Sequence, residues 1–254
     1  MRQQSAKRQA TAKLACSSRW ALLFTAILAI NGCVYRPPDG LNIGGIGSGF
    51  AVSAQGHLLT NHHVVENCQA ISATTPAAHE VEAHLIRSDP ARDLALLMMD
   101  GATTRPAVLA SPRTRLNGGH LSGDTVRFVG YPEGGRRSLR PVIRPARILQ
   151  LTGGPLSVPV IVFKGKVDPG NSGGPLLTST GHVVGLVFAK ANIPAIYREA
   201  GEEVAKRMTN VGLALPFWEM LLFLEQAAIS YEIATDAETA PAVERFMVRV
   251  NCWK

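Results

Sequence analysis

A serine in a glycine-rich turn is the most reactive-looking feature of this chain. Residues 168–175 have the sequence DPGNSGGP, which places Ser172 next to glycines. A nucleophilic serine needs an exposed hydroxyl on a tight turn, and glycines permit that backbone shape while leaving room for a substrate. Backbone N–H groups of such a turn can also stabilise an oxyanion. The alternative interpretation is an ordinary serine in a glycine-rich hairpin.

A candidate base for this serine lies in residues 60–65 (TNHHVV), directly after a predicted hairpin. Imidazole suits this task because its pKa lies near neutrality. The pair His62 and His63 could instead bind a metal ion or lie on the surface. Consecutive residues of a strand point to opposite faces, so the two rings are not expected to chelate one ion, and no metal site is predicted.

A carboxylate that could orient the histidine lies in residues 88–97 (SDPARDLALL). Asp93 directly precedes a strongly apolar strand, as expected for a partly buried acid that supports a catalytic imidazole. Asp89 precedes a proline and is predicted to cap a turn. Without the other two motifs, Asp93 would be interpreted as a simple charge at the edge of a strand.

In this order, the three motifs resemble those of trypsin-like serine proteases, and most closely the bacterial Deg/HtrA branch. The resemblance spans residues 44–218 and includes VGYP at 129–132 and NVGLALP at 210–216. It implies a Ser-His-Asp triad and an oxyanion hole made by two backbone N–H groups. The implied triad is His63 as base, Asp93 as its partner and Ser172 as nucleophile; the implied oxyanion hole uses Gly170 and Ser172; His62 takes a variable position.

The resemblance also implies the fold and the reaction. The fold class is all-β, a chymotrypsin-like pair of six-stranded antiparallel β-barrels with a C-terminal helix and the active site between the barrels. The implied reaction is peptide-bond hydrolysis on a polypeptide substrate, without metal or cofactor. The segment after Pro216 is too short for the PDZ domain of many relatives, so a protease domain alone is expected. Lys166, six residues before Ser172, is either the base of a specificity pocket or, as we favour, a solvated loop residue.

Short apolar runs separated by Gly, Pro, Asn and Asp predict the strands that must position these residues. One helix is predicted over Phe217–Ile229, after Pro216. The predicted strands are Gly49–Ser53, His57–Thr60, Val81–Ser88, Leu94–Met98, Thr125–Val129, Ala146–Leu151, Val158–Lys164, Gly174–Leu177, His182–Ala189 and Val211–Leu215.

The charge distribution argues against nucleic-acid binding. The chain of 254 residues has 26 Lys and Arg against 19 Asp and Glu, a formal net charge of +7. Residues 1–36 contain six of the basic residues and no acid, so the remainder is nearly neutral and presents no general surface for polyanions. Five arginines between positions 136 and 147 could attract an acidic substrate or membrane, although a solvated hairpin is the favoured interpretation.

The N-terminal segment indicates export from the cytoplasm. Residues 20–30 (WALLFTAILAI) are too few for a membrane span of about 20 residues but suit the apolar region of a secretory signal. The following Asn31-Gly32-Cys33 resembles a lipobox, which makes Cys33 a candidate for lipidation and membrane attachment. An uncleaved signal anchor is the alternative. In both cases the protein is expected in the bacterial cell envelope, membrane-anchored and facing the periplasm.

The expected organisation is a signal or anchor at 1–33, a tether at 34–43 and a protease domain at 44–254. Of the four cysteines, Cys16 and Cys33 belong to the N-terminal segment. Cys68 and Cys252 remain, and an oxidising compartment favours a disulfide between them. The predicted function is an exported, membrane-tethered serine endopeptidase. A catalytically silent binding module of the same fold and an esterase with the same triad are the alternatives.

Overall fold

The computed structural model describes residues 35–75, 77–101, 105–111, 123–132, 139–153, 158–190, 209–235 and 240–254. The predicted signal segment with Cys33 lies outside the described residues, as do Arg136 and Arg137. No helix within the described ranges is long and apolar enough to cross a membrane.

Two closed barrels of six antiparallel strands form the fold, as the sequence predicted. The first barrel has the strand order β1-β14-β3-β4-β5-β2, so the last strand of the chain completes it. A short helix, α1, follows β2 and contains both histidines. The elements are β1 Ile43–Ala51, β2 His57–Thr60, α1 His62–Val65, β3 Ala70–Thr74, β4 Glu80–Asp89, β5 Leu94–Met99 and β14 Met247–Trp253.

The second barrel has the order β10-β7-β8-β9-β12-β11 and is closed by pairing between β10 and β11. Two short strands, β6 and β13, extend its sheet beside β11 through parallel pairing. Helix α2 follows β12. The elements are β6 Val108–Leu109, β7 Thr125–Gly130, β8 Val142–Gly153, β9 Pro159–Lys164, β10 Pro175–Leu177, β11 Val183–Lys190, β12 Val211–Pro216, α2 Phe217–Gln226 and β13 Glu232–Ile233. A 3₁₀ turn at Val243–Arg245 precedes β14.

Strand β5 shows why the segment after Asp93 is apolar on both faces. Leu94 and Leu96 belong to the large core shared with the second barrel. Ala95 and Leu97 face the interior of the first barrel. Since successive strand residues point to opposite sides, a strand buried on both faces needs an uninterrupted apolar run. The strand that carries the candidate acid at its start is therefore fixed from two sides.

The C-terminal segment differs from the prediction. The helix ends at Gln226 rather than Ile229, and its apolar face, including Met220 and Leu224, packs into the large core that contains residues of both barrels. The chain then returns as β14, which pairs with both β1 and β3. The sequence analysis missed β3, β6, β13 and β14. Strands β6 and β13 have only two residues. Residues 248–252 of β14 (VRVNC) do alternate between apolar and polar types, so this strand had a signal that was overlooked.

A disulfide joins Cys68 and Cys252, with their Cα atoms 5.3 Å apart. It connects the segment after α1 to strand β14. The pairing of β14 with β3 aligns Cys252 with Ile71 and brings the two cysteines together. The bridge thus attaches the end of the chain to the neighbourhood of His63.

Candidate active site

Asp93 and His63 form a directly hydrogen-bonded pair on the first barrel. The Nδ1 atom of His63 lies 2.7 Å from Oδ2 of Asp93, and the His63 backbone N–H donates to Oδ1 over 2.9 Å. Because an ionised carboxylate only accepts hydrogen bonds, this contact places the ring proton on Nδ1. Nε2 of His63 then keeps a free lone pair. The ring is 45% exposed, so this atom can act as a base toward a bound substrate.

The backbone of Asp93 is also part of this arrangement. Its φ of +54° lies in the left-handed region, which aspartate tolerates better than most residues. Its carbonyl oxygen accepts hydrogen bonds from the His62 N–H and from the Asn61 side chain, at 3.2 and 2.8 Å. Carboxylate and carbonyl therefore hold the segment that carries His63 at several points.

An arginine next to Asp93 ties this loop to helix α2. Arg92 forms ion pairs with Asp89 at 2.8 Å and with Glu219 of α2 at 2.9 Å. The hydrogen bond to Glu219, followed by that to Asp89, raises the pKa of Arg92 above its ordinary value. Burial alone would raise the pKa of Asp89, but its hydrogen bonds from Arg92 outweigh burial and lower that pKa. Asp89 also accepts from the Arg92 N–H, which is the turn-capping role predicted for it.

Ser172 lies on a tight turn between β9 and β10 of the second barrel. The side chain of the fully buried Asn171 accepts a hydrogen bond from the Asp168 N–H at 2.8 Å, and the Asn171 backbone N–H donates to the Asp168 carbonyl. Gly170 and Gly173 adopt φ values of +90° and +85°, which only glycine adopts without strain. The turn thus has the backbone shape that the glycines predicted.

The N–H groups of Gly170 and Ser172 are available for an anion. Within the described ranges, neither group has a hydrogen-bond acceptor in the protein. Buried or half-buried backbone N–H groups are rarely left without a partner. Two unpaired donors on one turn are what an oxyanion hole requires.

The serine hydroxyl is not bonded to the histidine. Ser172 Oγ donates to the carbonyl oxygen of Phe188 over a long 3.4 Å, and the described residues include no hydrogen bond between it and His63. Catalytic hydrogen bonds are often loose without substrate, and rotation about one side-chain bond redirects a serine hydroxyl. The structure therefore brings Asp93 and His63 together and leaves Ser172 on a separate, preformed turn.

His62 is directed away from the Asp93 carboxylate. Its Nδ1 lies 3.0 Å from the Ser88 hydroxyl, and its Nε2 lies 4.0 Å from a carboxylate oxygen of Glu66. The sequence analysis placed the two histidines on a strand, but they lie on helix α1. Adjacent residues of a helix also point in different directions, so the two rings still face different partners.

Lys166 and the arginines of β8 are explained by local contacts. Lys166 is exposed, and its carbonyl oxygen accepts a hydrogen bond from Arg144. Arg144 also forms an ion pair with Asp168 at 2.7 Å. This contact stabilises the start of the turn at residues 168–174 that carries Ser172, called the serine turn below. Arg147 donates to the carbonyl of Gly123. These contacts fit a solvated position for Lys166.

Glu82, His84 and Asp100 form a group whose donor atoms lie within 4.8 Å of one another and could hold a metal ion. His84 Nε2 and Asp100 Oδ2 already lie within hydrogen-bond distance, 3.2 Å apart, at an exposed position. Asp100 follows the end of β5 whereas Asp93 precedes its start, about 20 Å away along an extended strand. The group is therefore separate from the candidate active site.

Comparison with known proteins agrees with this geometry. Residues 47–186 match the family described as Trypsin-like peptidase domain, and this range includes His63, Asp93 and Ser172. The chain belongs to the trypsin-like peptidase family. The chain is 36% identical over 141 residues to a probable periplasmic serine endoprotease DegP-like from Pseudomonas putida, covering 56% of the chain and 28% of the relative.

Other similar proteins match a larger share of this chain. The uncharacterized protein y4bJ from Sinorhizobium fredii is 34% identical over 220 residues, which is 81% of the chain and 32% of that protein. The chain thus spans less than a third of the length of these curated relatives. The Rv3671c protease from M. tuberculosis in its active form is 26% identical with a TM-score of 0.57, covering 74% of this chain and 76% of that one. The HtrA-type protease AlgW with decapeptide is 27% identical with a TM-score of 0.57, covering 72% and 51%.

Sequence reasoning about this trypsin-like peptidase missed one residue that contacts the serine turn. Ser48 of β1 is fully buried and hydrogen-bonds to the carbonyl oxygens of Gly170 and Ser172. Of the two glycines that flank Ser48, only Gly49 lies in a predicted strand. A serine on a strand gives no signal of a contact with residues more than 120 positions away.

Proposed function

We propose that this protein is a serine endopeptidase that hydrolyses peptide bonds through an acyl-enzyme on Ser172. The observation that carries the proposal is the 2.7 Å contact between His63 and Asp93, which leaves Nε2 of His63 as a free base. In the proposed reaction, Nε2 takes the proton from Ser172 Oγ as that oxygen attacks the carbonyl carbon. The histidine then gives this proton to the departing amine.

The developing negative charge would be bound by the N–H groups of Gly170 and Ser172. Both donors are unpaired and belong to a turn fixed by Asn171 and two positive-φ glycines, so little reorganisation is needed when charge appears. Asp93 would stabilise the imidazolium and hold its orientation. Water then hydrolyses the acyl-enzyme by the same proton transfers in reverse.

We further propose that the protein works in the bacterial cell envelope. The DegP-like relatives are named as periplasmic. Cleavage at the lipobox-like sequence and lipidation of Cys33, or retention of an uncleaved signal anchor, would attach it to a membrane facing the periplasm. The substrates are polypeptides, as the names of the protease relatives indicate.

Fluorophosphonate labelling tests the catalytic part of this proposal. The probe should phosphonylate Ser172 in the wild-type protein, and mass spectrometry should locate the adduct. Ser172→Ala and His63→Ala should each abolish labelling and turnover without unfolding the domain. His62→Ala is the matched control, since the His62 ring contacts Ser88 rather than the Asp93 carboxylate, and it should keep substantial activity. An inactive His62→Ala beside an active His63→Ala would show that the base is assigned to the wrong ring.

Cleavage of a peptide library separates the remaining functions. An endopeptidase should cut internal peptide bonds, and the cut sites should define its preference. An esterase with the same residues would hydrolyse activated esters but leave the library intact. A silent binding module would react neither with the probe nor with the library.

A further inference from the structure

Ser48 lies at the point where the first barrel meets the serine turn of the second. It belongs to β1, opposite Arg249 of β14, and its side chain is fully buried. Its contacts cross from one barrel to the other: its backbone N–H donates to the Ser172 carbonyl at 2.8 Å, and its hydroxyl to the Gly170 carbonyl at 2.6 Å. One residue therefore binds the carbonyls of both residues whose N–H groups are unpaired.

These two carbonyls control the directions of the two N–H groups. The peptide plane that contains the Ser172 N–H lies between the plane with the Gly170 carbonyl and the plane with the Ser172 carbonyl. The plane that contains the Gly170 N–H adjoins the plane with the Gly170 carbonyl. Gly170 has no Cβ and a φ of +90°, so its own backbone restricts rotation little. The N–H groups that share planes with these two carbonyls, those of Asn171 and Gly173, bond to the carbonyls of Asp168 and Val187. The bonds from Ser48 add a second contact to each plane and connect it to the first barrel.

The direction of the Ser48 hydroxyl proton is set by a second neighbour. The backbone N–H of Tyr131, next to the end of β7, donates to Ser48 Oγ at 2.9 Å. A serine hydroxyl has one proton, and a backbone N–H can only donate. The hydroxyl is therefore an acceptor toward Tyr131 and must use its proton toward Gly170.

The carbonyl side of Ser48 is equally constrained. Its oxygen accepts a hydrogen bond from Thr60 Oγ1 at 2.7 Å, and Thr60 lies just before the segment that carries His63. A Cβ on Gly173 would overlap both the Ser48 carbonyl oxygen and the Thr60 hydroxyl. The serine turn is thus pressed directly against the strands that lead to the histidine.

We propose that Ser48 is a positioning residue that aims the N–H groups of Gly170 and Ser172 at the developing oxyanion. This inference rests on the proposed serine-endopeptidase function. Ser48 touches no substrate, so its loss should weaken binding of the transition state more than binding of the substrate. The effect should therefore fall on kcat, with KM little changed.

Ser48→Ala tests the proposal, with the best peptide from the library as substrate. We expect kcat to fall by about 10²-fold, the effect of losing one oxyanion-hole donor. A peptide boronic acid, which forms a tetrahedral adduct with Ser172, should lose affinity by a similar factor. A noncovalent product peptide should bind as it does to the wild type. The concentration of active enzyme in each preparation is measured by complete titration of Ser172 with a fluorophosphonate. Each kcat is calculated from that concentration, so that unfolded molecules are excluded.

Ser72→Ala is the matched control. Ser72 is also fully buried on a strand of the first barrel, and its hydroxyl bonds to Glu80, Asn251 and Trp253 rather than to the serine turn. Loss of the Ser72 hydroxyl should lower the melting temperature of the protein but should not lower kcat as Ser48→Ala does. Where Ser48→Ala does not fold, Ser48→Cys replaces it, since a thiol keeps the volume but is a weak donor.

The outcomes separate the two proposals. A wild-type protein that neither reacts with the probe nor cleaves peptides overturns the proposed function. An active wild type whose Ser48 variants lose no more kcat than Ser72→Ala overturns only the positioning role. Equal losses of boronic-acid and product-peptide affinity would also overturn it, because they would indicate general damage to the site.

Discussion

Asp93 is the residue through which most of the candidate site is held together. Its two carboxylate oxygens bond separately to the His63 backbone and to the His63 ring, while its carbonyl holds His62 and Asn61. The side chain is 25% exposed, so these contacts are only partly screened by solvent. Position and tautomer of the imidazole are therefore set by the same residue.

Asp93→Asn should separate these two effects. An asparagine can still accept the His63 backbone N–H through its oxygen, but it then presents an NH₂ donor to Nδ1 and favours the ring tautomer with its proton on Nε2. We expect kcat to fall by about 10⁴-fold with little loss of stability. Steady-state kinetics and a thermal melt measure the two quantities.

Asp100→Asn is the matched control for this change. Asp100 also pairs with a histidine, His84, but at the other end of β5 and at an exposed position. The kcat of the Asp100→Asn variant should equal that of the wild type. Full activity of Asp93→Asn would contradict the role proposed for Asp93.

At the scale of elements, strand β14 makes the first barrel depend on the end of the chain. It pairs with β1 over residues 247–253 and with β3 on its other side, so removing it would open the barrel. The disulfide from Cys252 to Cys68 holds this strand beside the segment that follows α1. The bridge spans 184 positions, and closure of such a long loop restricts the unfolded chain strongly.

Replacing both Cys68 and Cys252 by serine should lower the free energy of unfolding. The chain-entropy argument gives about 5 kcal/mol for this loop, and measured losses run from about 2 to 5 kcal/mol. Denaturant unfolding of a protein that comprises residues 44–254 measures the change. Since β14 keeps its strand pairings, the folded variant should retain the proposed activity.

A reducing agent provides the control for the disulfide. It should destabilise the wild-type domain to the level of the double variant and leave that variant unaffected. Two free thiols in the denatured, unreduced wild-type domain would show that the bridge does not form.

At the scale of the whole molecule, charge is distributed unevenly along the chain. The basic residues in excess belong to positions 1–36, and the rest of the chain is nearly neutral. A basic segment followed by an apolar stretch is typical of an export signal. The net charge of the chain therefore comes almost entirely from this segment and does not describe the surface of the rest.

Cys33→Ser tests the proposed attachment. In a bacterial host, wild-type protein with a processed N-terminus at Cys33 should carry acyl chains, and the serine variant should carry none and be processed differently. Mass spectrometry of the membrane fraction measures both. A membrane-bound wild-type protein that begins at Met1 would establish the uncleaved anchor instead.

The motifs around His63, Asp93 and Ser172 were sufficient to predict the family and the double barrel. Each motif is local: a turn that needs glycines, an acid at the start of an apolar strand, a histidine after a hairpin. Local backbone requirements and the alternation of strand residues leave a direct trace in residue type and spacing. The ten predicted strands have this trace.

Contacts between distant parts of the chain were decided by the tertiary structure alone. Strand β14 closes the first barrel by pairing with one edge of β1 and one edge of β3. The sequence of β14 does not show which strands it will pair with. The bonds from Ser48 to Gly170 and Ser172 arise only where the two barrels meet. The sequence by itself determined which residues could do the chemistry, because side-chain type limits reactivity. The orientation of those residues depends on hydrogen bonds between segments that only folding brings together.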